Sequence, residues 1–227
     1  MRALFYPDFS QDELTLSGDD AHHFIKVLRI EMNEEIQLMD GKGSIAKASV
    51  SNVTKKEMTL TIHQRTFTSK ENKIDLGIGI VKKEALEEIL KASVEMGIGK
   101  LYLVRTQFSQ PMFDWSDRYQ KLLISALEQS NNPYLPQILL VSSLEEIPFK
   151  DYQNIYTFSP HENTDATKSF SAEKSLILIG PEGGFSTEEE GYLVKKNSLL
   201  VRLPLPILRA KTATILAVGF LLGKSLK

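Results

Sequence analysis

The sequence contains no cysteine and no apolar run of membrane-spanning length. The first absence excludes disulfides, thiolate nucleophiles and zinc sites built on cysteine. A helix that crosses a bilayer needs about 20 consecutive, mostly apolar residues, and no apolar run here approaches that length. The N-terminal residues also lack the long apolar stretch of a signal peptide. We therefore expect a cytoplasmic protein with no membrane segment, and the sequence suggests no metal site.

An excess of basic residues is lacking as well. The chain has 27 Lys and Arg against 29 Asp and Glu, which gives a formal net charge of −2. Residues 1–70 contain 9 basic and 10 acidic residues, and residues 71–227 contain 18 and 19. Contacts of lysine and arginine to phosphate supply most non-specific affinity for nucleic acid. A nucleic-acid-binding role would therefore depend on a local basic patch.

Residues 1–70 have the pattern of a small β domain. Met58–Ile62 alternates apolar with polar residues, as a half-buried strand does. Asp40–Gly43 separates two strand-like segments and is a strong hairpin signal. One helix interrupts the strands, with Phe24, Val27 and Leu28 at helical spacing. Short strands with one helix predict a compact β-barrel.

Residues 71–227 alternate between apolar strands and helices. Near-continuous apolar strands that alternate with helices predict an α/β fold with a parallel sheet covered on both faces. Ser186 and Glu189 have the spacing of a capping box, which predicts a helix start. The predicted strands are residues 74–81, 100–105, 138–141, 155–158, 176–179 and 199–203, and the predicted helices are residues 83–96, 116–130, 186–197 and 211–226.

Two loops that follow predicted strands are candidates for a ligand site, because open parallel sheets bind ligands beyond the carboxyl ends of their strands. The first is the glycine-rich segment Gly180-Pro181-Glu182-Gly183-Gly184 after Ile179. Its glycines allow close approach of the backbone to a ligand, although a simple turn that leads into a capped helix would look the same. The second loop runs from Leu203 to Ala213. Its apolar residues must line something, either a ligand or the core.

These loops together carry a resemblance to a known family. The glycine-rich segment, followed about twenty residues later by Ile207-Leu208-Arg209-x-x-Thr212-Ala213, resembles the SPOUT methyltransferases. More narrowly, it resembles those that methylate uracil N3 in bacterial small-subunit ribosomal RNA. Three further segments match in order across nearly the whole chain: His23-x-x-x-Val27-Leu28-Arg29, Lys91-Ala92-x-x-Glu95-Met96-Gly97, and Glu128-Gln129-Ser130 with Pro136.

The resemblance implies a C-terminal, trefoil-knotted SPOUT domain preceded by a PUA-like, RNA-binding β-barrel. It further implies a homodimer that binds S-adenosylmethionine in the knot and acts on ribosomal RNA or the small ribosomal subunit. Gly183 and Gly184 would then matter because side chains there would fill the space of the cofactor. The cofactor-binding residues implied are Ile179, Gly180, Pro181, Glu182, Gly183, Gly184, Leu203, Leu205, Ile207, Leu208 and Ala213.

The chain departs from the family pattern at several positions. An arginine usually stands where Phe108 is, and a Gly-Arg pair where Asn131 and Asn132 are. Lys211 replaces a glutamate of the last motif. Pro204 and Pro206 replace a glycine and an arginine of the loop.

Uracil N3 carries a proton in neutral water, so its methylation requires loss of that proton and stabilisation of the anion. Arg209 is the candidate for holding a uracil oxygen or a phosphate, since arginine binds bidentately and stays charged. Glu182 is a candidate base or orienting group, with a purely structural role as the alternative. Lys26 and Arg29, expected one helical turn apart, are the candidate RNA-contacting residues.

Two other functions stay open at this point. One is a cofactor-binding RNA adaptor that has lost catalysis, which the replaced arginines favour. The other is an unrelated α/β enzyme that uses the loop from Gly180 to Gly184 to bind a phosphate.

Overall fold

The computed structural model describes residues 1–69, 73–111, 113–160 and 170–225, without the side chains of Asp19, Asp20, His23, Val27 and Ser225. His23 and Val27 belong to the segment His23-x-x-x-Val27-Leu28-Arg29 that matches the family, and their side chains lie outside the described part of the structure. The chain divides into two compact units, one made of Met1–Lys70 with Ile124–Leu135 and the other of Glu71–Leu123 with Pro136–Lys227.

The first unit is built on a five-stranded sheet with strand order β1-β3-β4-β5-β2. Its strands are β1 (Arg2–Phe5), β2 (Glu13–Ser17), β3 (Glu35–Met39), β4 (Ser44–Val53) and β5 (Glu57–Phe67), with the short helix α1 (Gly18–His22) after β2. Strands β1 and β3 are parallel, and the other neighbours are antiparallel. Alternate residues of the strands face one apolar core, which includes Leu38, Val50 and Leu60.

Local hydrogen bonds fix the turns of this unit. The carboxylate of Asp40 accepts hydrogen bonds from the amides of Lys42 (2.7 Å) and Ser44 (3.0 Å), which closes the predicted hairpin between β3 and β4. The guanidinium of Arg65 donates to the carbonyl of Phe9 at 2.9 Å and to the carboxylate of Asp12 at 2.9 Å. The loop before β2 is thereby attached to β5.

The second unit is built on a six-stranded, fully parallel sheet with strand order β11-β9-β10-β6-β7-β8. Its elements are β6 (Ile74–Gly79), α2 (Lys83–Glu95), β7 (Lys100–Val104), the first half of α3 (Asp117–Ser130), β8 (Gln137–Val141), β9 (Asn154–Phe158), β10 (Ser175–Ile179), α4 (Thr187–Lys195), β11 (Leu199–Val201) and α5 (Ala210–Ser225). The second half of α3, from Ile124, belongs to the first unit. Strand β10 is buried along its whole length, as expected for a central parallel strand.

The register of the sheet aligns three strand ends. Phe158 at the end of β9 pairs with Ile179 at the end of β10 and with Val201 at the end of β11. The loops that leave these strands must therefore emerge side by side. The two candidate loops predicted from the sequence leave two of these strands: the glycine-rich loop follows β10, and the loop before α5 follows β11.

The parallel α/β fold expected from the sequence is confirmed, and so is the capping box of α4. The hydroxyl of Ser186 accepts from the amide of Glu189 at 3.2 Å, and the carboxylate of Glu189 accepts from the amide of Ser186 at 2.8 Å. Strand β11 is shorter than predicted and ends at Val201. The trefoil knot remains a prediction. Among the described residues, no helix combines the length and the apolar character that crossing a bilayer requires.

Candidate active site

A cavity of about 420 Å³ lies beyond the carboxyl ends of β9, β10 and β11. This size is within the range of about 300–1,000 Å³ that is typical of small-molecule sites. All the residues predicted to hold a cofactor line it, and so does Arg209. The lining comprises Phe158, Ser159, Pro160, Ile179, Gly180, Pro181, Glu182, Gly183, Gly184, Val201, Arg202, Leu203, Leu205, Pro206, Ile207, Leu208, Arg209, Ala210 and Ala213.

One wall of the cavity, at the end of β9, was not predicted from the sequence. Phe158, Ser159 and Pro160 line the cavity because β9 lies between β10 and β11 in the sheet. The amide of Ser159 donates to the carbonyl of Val201 at 3.0 Å, which joins the ends of β9 and β11. Sequence periodicity identifies strands but does not give their order, so no signal in the sequence pointed to this wall.

The glycine-rich loop packs tightly against itself. A Cβ atom placed on Gly180 would lie 2.5 Å from the carbonyl carbon of Gly184 and 2.7 Å from the amide nitrogen of Phe185. The amide of Gly184 donates to the carbonyl of Pro181 at 2.9 Å. Gly184 itself has a φ of +75°, a conformation that glycine adopts at little cost. The loop therefore needs glycine at both ends to form this wall of the cavity.

Gly183 is restricted by a neighbouring side chain. A Cβ atom placed there would lie 2.8 Å from Cβ and 3.0 Å from Cγ of Phe108, so a side chain would collide with Phe108. At Gly184 no heavy atom lies within 4 Å of such a Cβ, so only the backbone angle restricts that position. These two restrictions come from the chain itself, and the occupation of cofactor space by side chains at both positions remains a prediction.

Both carboxylate oxygens of Glu182 are engaged within the chain. One accepts from the amide of Lys82 at 2.9 Å, and the other accepts from the side-chain amide of Gln110 at 3.5 Å. These hydrogen bonds tie the glycine-rich loop to the loops after β6 and β7. They favour an orienting role for Glu182 over that of a general base.

The loop that follows β7 is held in place at several points. The amide of Gln107 donates to the second carboxylate oxygen of Glu189 at 2.8 Å. The hydroxyl of Ser109 accepts from the amide of Thr106 at 2.9 Å, and the amide of Ser109 donates to the carbonyl of Thr106 at 3.1 Å. Glu189 thus caps α4 and anchors a neighbouring loop with the same side chain.

Two basic residues lie at the start of α5. Arg209 precedes the helix, Lys211 lies in its first turn, and that turn contains no acidic residue. Cations are unfavourable at a helix N-terminus, because the helix dipole is positive there. In the part of the chain that the structure describes, Arg209 forms no ion pair, whereas Lys211 pairs with Glu88 at 3.2 Å. Helix stability therefore does not explain the position of Arg209.

Glu88 compensates for the departure from the family pattern at Lys211. Its second oxygen accepts from Lys91 at 3.1 Å, so one carboxylate of α2 links two lysines. Hydrogen bonds from Lys91 and Lys211 lower the pKa of Glu88 from its ordinary value. The carboxylate therefore stays charged at neutral pH.

The loop between β11 and α5 exposes apolar side chains. Ile207 is 85% exposed and Leu205 48% exposed, although both line the cavity. Pro204 and Pro206 have no amide hydrogen, which leaves few backbone donors in this segment. The amide of Leu205 is used within the loop, since it donates to the carbonyl of Leu203 at 2.8 Å. The surface that this loop offers to a ligand is thus mostly apolar.

Lys26 and Arg29, the candidate RNA-contacting residues, do not lie on one α-helix as predicted. Lys26 lies in a single-turn π-helix, His23–Val27, and Arg29 lies beyond its end with a φ of +52°. The expected spacing of one α-helical turn between the two side chains is therefore wrong, because the helix widens and then stops. Both side chains are exposed. Asn132, another departure from the family, accepts from the amide of Tyr134 at 3.1 Å with its side-chain oxygen.

Metal chemistry has no support in the described residues. Within that part of the chain, no three histidine, aspartate or glutamate side chains are grouped so that they could hold a metal ion.

Comparison with known proteins identifies the family. Residues 68–222 match the family model described as the RNA methyltransferase domain, and residues 16–62 match the one described as the RNA methyltransferase PUA domain. The chain belongs to this RNA methyltransferase family. Similar proteins include the ribosomal RNA small subunit methyltransferase E of Rickettsia conorii, 26% identical over 91% of this chain and 88% of that protein. The Helicobacter pylori protein of the same name is 28% identical over 95% of this chain and 96% of its own length.

The fold agrees with this assignment. The crystal structure of a ribosomal RNA small subunit methyltransferase E from Neisseria gonorrhoeae, bound to S-adenosyl methionine, is similar with a TM-score of 0.84 and 24% identity. The similarity covers 99% of this chain and 98% of that one. The resemblance to the SPOUT class and the presence of a PUA-like N-terminal domain, both expected from the sequence, are confirmed.

Proposed function

We propose that this RNA methyltransferase transfers a methyl group from S-adenosylmethionine to N3 of a uridine in small-subunit ribosomal RNA. The observation that carries the proposal is the single cavity shared by the glycine-rich loop, the loop before α5 and Arg209. The similarity to proteins named ribosomal RNA small subunit methyltransferase E extends over nearly the whole chain. These names supply the RNA substrate of the proposal.

The cavity fits S-adenosylmethionine in size and chemistry. The cofactor has a flat, partly apolar adenine ring and charged amino-acid groups. Leu203, Leu205 and Ile207 give the ring an apolar surface, while the backbone of residues 180–184 forms a cradle that a Cβ atom at Gly180 would disrupt. When bound, the cofactor supplies an electrophilic methyl group. The predicted cofactor-binding residues are therefore retained as a set.

Arg209 is the residue that we assign to the substrate. Arg209 lines the cavity at the electropositive start of α5, and we assign its guanidinium to stabilising the developing negative charge on a uracil oxygen. Removal of the N3 proton is easier when the anion that results is stabilised in this way. Because Glu182 is engaged by Lys82 and Gln110, we assign it the orientation of the loop and assign the proton to solvent water.

A homodimer is the second part of the proposal. Ile215, Leu216 and Leu222 are exposed on α5, with relative exposures of 42%, 37% and 37%. Val218 and Leu221, on the other side of the helix, are buried in the core. A helix that is apolar on both sides needs a second covering surface. We infer that a second copy of the chain covers this stripe.

We further propose that residues 1–70 hold the RNA and that residues 71–227 bind the cofactor and carry out the transfer. The PUA match supports this division for the first part. Exposed Lys26 and Arg29 are the proposed phosphate contacts. Because the proposed substrate is ribosomal RNA, we propose that the enzyme acts in the cytoplasm.

The test is a transfer assay with S-adenosylmethionine that carries a tritiated methyl group. Small ribosomal subunits from a strain that lacks this enzyme serve as substrate, and nucleoside analysis then identifies the modified position. The proposal expects label on uridine N3. Calorimetry with S-adenosylmethionine and with ATP separates the other candidates: binding of the former without transfer would indicate an RNA adaptor, and binding of ATP alone would indicate a phosphate-binding enzyme.

A further inference from the structure

Phe108 is an exposed aromatic residue beside the cavity, and the proposed mechanism does not use it. Its relative exposure is 46%. Its Cβ and Cγ atoms occupy the space over Gly183, which lines the cavity, yet Phe108 is not itself part of the cavity wall. One side of Phe108 is therefore fixed against the cofactor loop, and the rest faces outward.

The backbone that carries Phe108 is held on both sides. Before it, the amide of Gln107 is bound by Glu189 at 2.8 Å. After it, the hydroxyl of Ser109 lies 3.2 Å from the carbonyl of Val104, and the amide of Gln110 donates to the carbonyl of Ile80 at 2.9 Å. An aromatic ring on a loop with so many anchors loses little conformational entropy when a planar ligand stacks on it.

An exposed ring next to a site that acts on a base suits one class of ligand. Sequence-specific RNA recognition uses unstacked bases, and aromatic side chains hold these bases by stacking. The phenyl ring has no charge and no hydrogen-bonding group, so it suits the face of a base better than a phosphate or a ribose.

We propose that Phe108 stacks on the target uracil and holds it at the cavity, an inference that rests on the proposed function. Phe108 thus acts as a substrate-binding residue that adds affinity for the base without contacting the cofactor. Stacking present in both the ground state and the transition state raises affinity for the RNA and leaves the chemical step unchanged. The contribution should therefore appear in KM for the ribosomal subunit.

The experiment compares Phe108→Leu and Phe108→Tyr with the natural chain in the tritium-transfer assay. Leucine keeps an apolar contact with Gly183 but has no ring, whereas tyrosine keeps the ring. We expect Phe108→Leu to lower kcat/KM by about 5- to 150-fold, mainly through KM, which is the range that stacking of one base corresponds to. Phe108→Tyr should remain within about threefold of the natural chain. Leu140→Ala, which removes another exposed apolar side chain from the second unit, is the matched control and should change nothing.

The affinity for S-adenosylmethionine, measured by calorimetry, decides between stacking and support of the loop. It should be equal in all these proteins. The inference would be overturned by a Phe108→Leu enzyme with unchanged kcat/KM, by an equal loss in Phe108→Tyr, or by a parallel loss of cofactor affinity. Each of these results would leave the proposed function intact, provided that the natural chain methylates uridine N3. Absence of any transfer by the natural chain would overturn both.

Discussion

Gly180→Ala tests the cofactor loop with the smallest possible change. The added methyl group would lie 2.5, 2.7 and 2.8 Å from three backbone atoms of Gly184 and Phe185. Ordinary contact begins at 3.4 Å, so the two parts of the loop must separate by about 0.9 Å. Because all three obstructing atoms belong to the backbone, no side chain can rotate to make room.

The expected cost is about 1–3 kcal/mol, the usual penalty for overpacking a well-packed site. Where this cost appears depends on how the loop responds. If the loop keeps its position, the strain lowers the free energy of unfolding. If the loop moves, the cavity wall moves with it, and the affinity for S-adenosylmethionine falls by about 5- to 150-fold. The two losses together should amount to the full penalty.

Calorimetry with S-adenosylmethionine and denaturant unfolding measure the two quantities separately. Gly191→Ala is the matched control, since Gly191 lies inside α4 and no heavy atom is within 4 Å of the added methyl group. We expect that control to bind the cofactor normally and to be up to about 1 kcal/mol more stable, because alanine favours a helix. A Gly180→Ala protein that changes by less than about 0.5 kcal/mol in both measurements would refute the tight packing on which the reasoning depends.

Three further predictions concern the substrate, the dimer and the RNA. Arg209→Ala should reduce kcat by about 100- to 1,000-fold, with cofactor affinity nearly unchanged, because it removes stabilisation of the developing anion; an equal loss in cofactor affinity would contradict this role. Leu216→Glu should convert the dimer into a monomer in light scattering, since it places a charge in the exposed apolar stripe of α5; a natural chain that is already monomeric at micromolar concentration would refute the dimer. Lys26→Ala combined with Arg29→Ala should weaken binding of all RNA sequences about equally and make the logarithmic salt slope shallower by up to about 2; full RNA affinity would remove these two residues from the interface.

The sequence identified the two loops that line the cavity better than it predicted their environment. Local signals were sufficient for the loop from Gly180 to Gly184, because a strand, three glycines and a capping box follow one another in the chain. The contact of Gly183 with Phe108 and the wall formed by Phe158 depend on the order of strands in the sheet. Hydrophobic periodicity gives the type of an element but not its neighbours, so neither contact could be predicted.

The error at Arg29 has a local cause. Helical spacing was assumed from Phe24 to Arg29, but the chain forms a π-turn from His23 to Val27 and then adopts a left-handed conformation at Arg29. Non-glycine residues enter that conformation infrequently, and arginine is not among the residues that favour it. The amino-acid sequence gives no signal for the π-turn or for the left-handed conformation of Arg29.

The departures from the family pattern acquire specific partners in this chain, which bears on whether the enzyme is active. Lys211 is neutralised by Glu88, Asn132 holds the amide of Tyr134, and Phe108 packs on Gly183. A site that had lost its function would have no reason to retain a matched partner for each of these three replacements. The cavity also retains Arg209, whose position at the start of α5 opposes helix stability and to which we assign the substrate. The replacements therefore favour an active methyltransferase that binds its RNA with a different set of side chains over an adaptor that has lost catalysis.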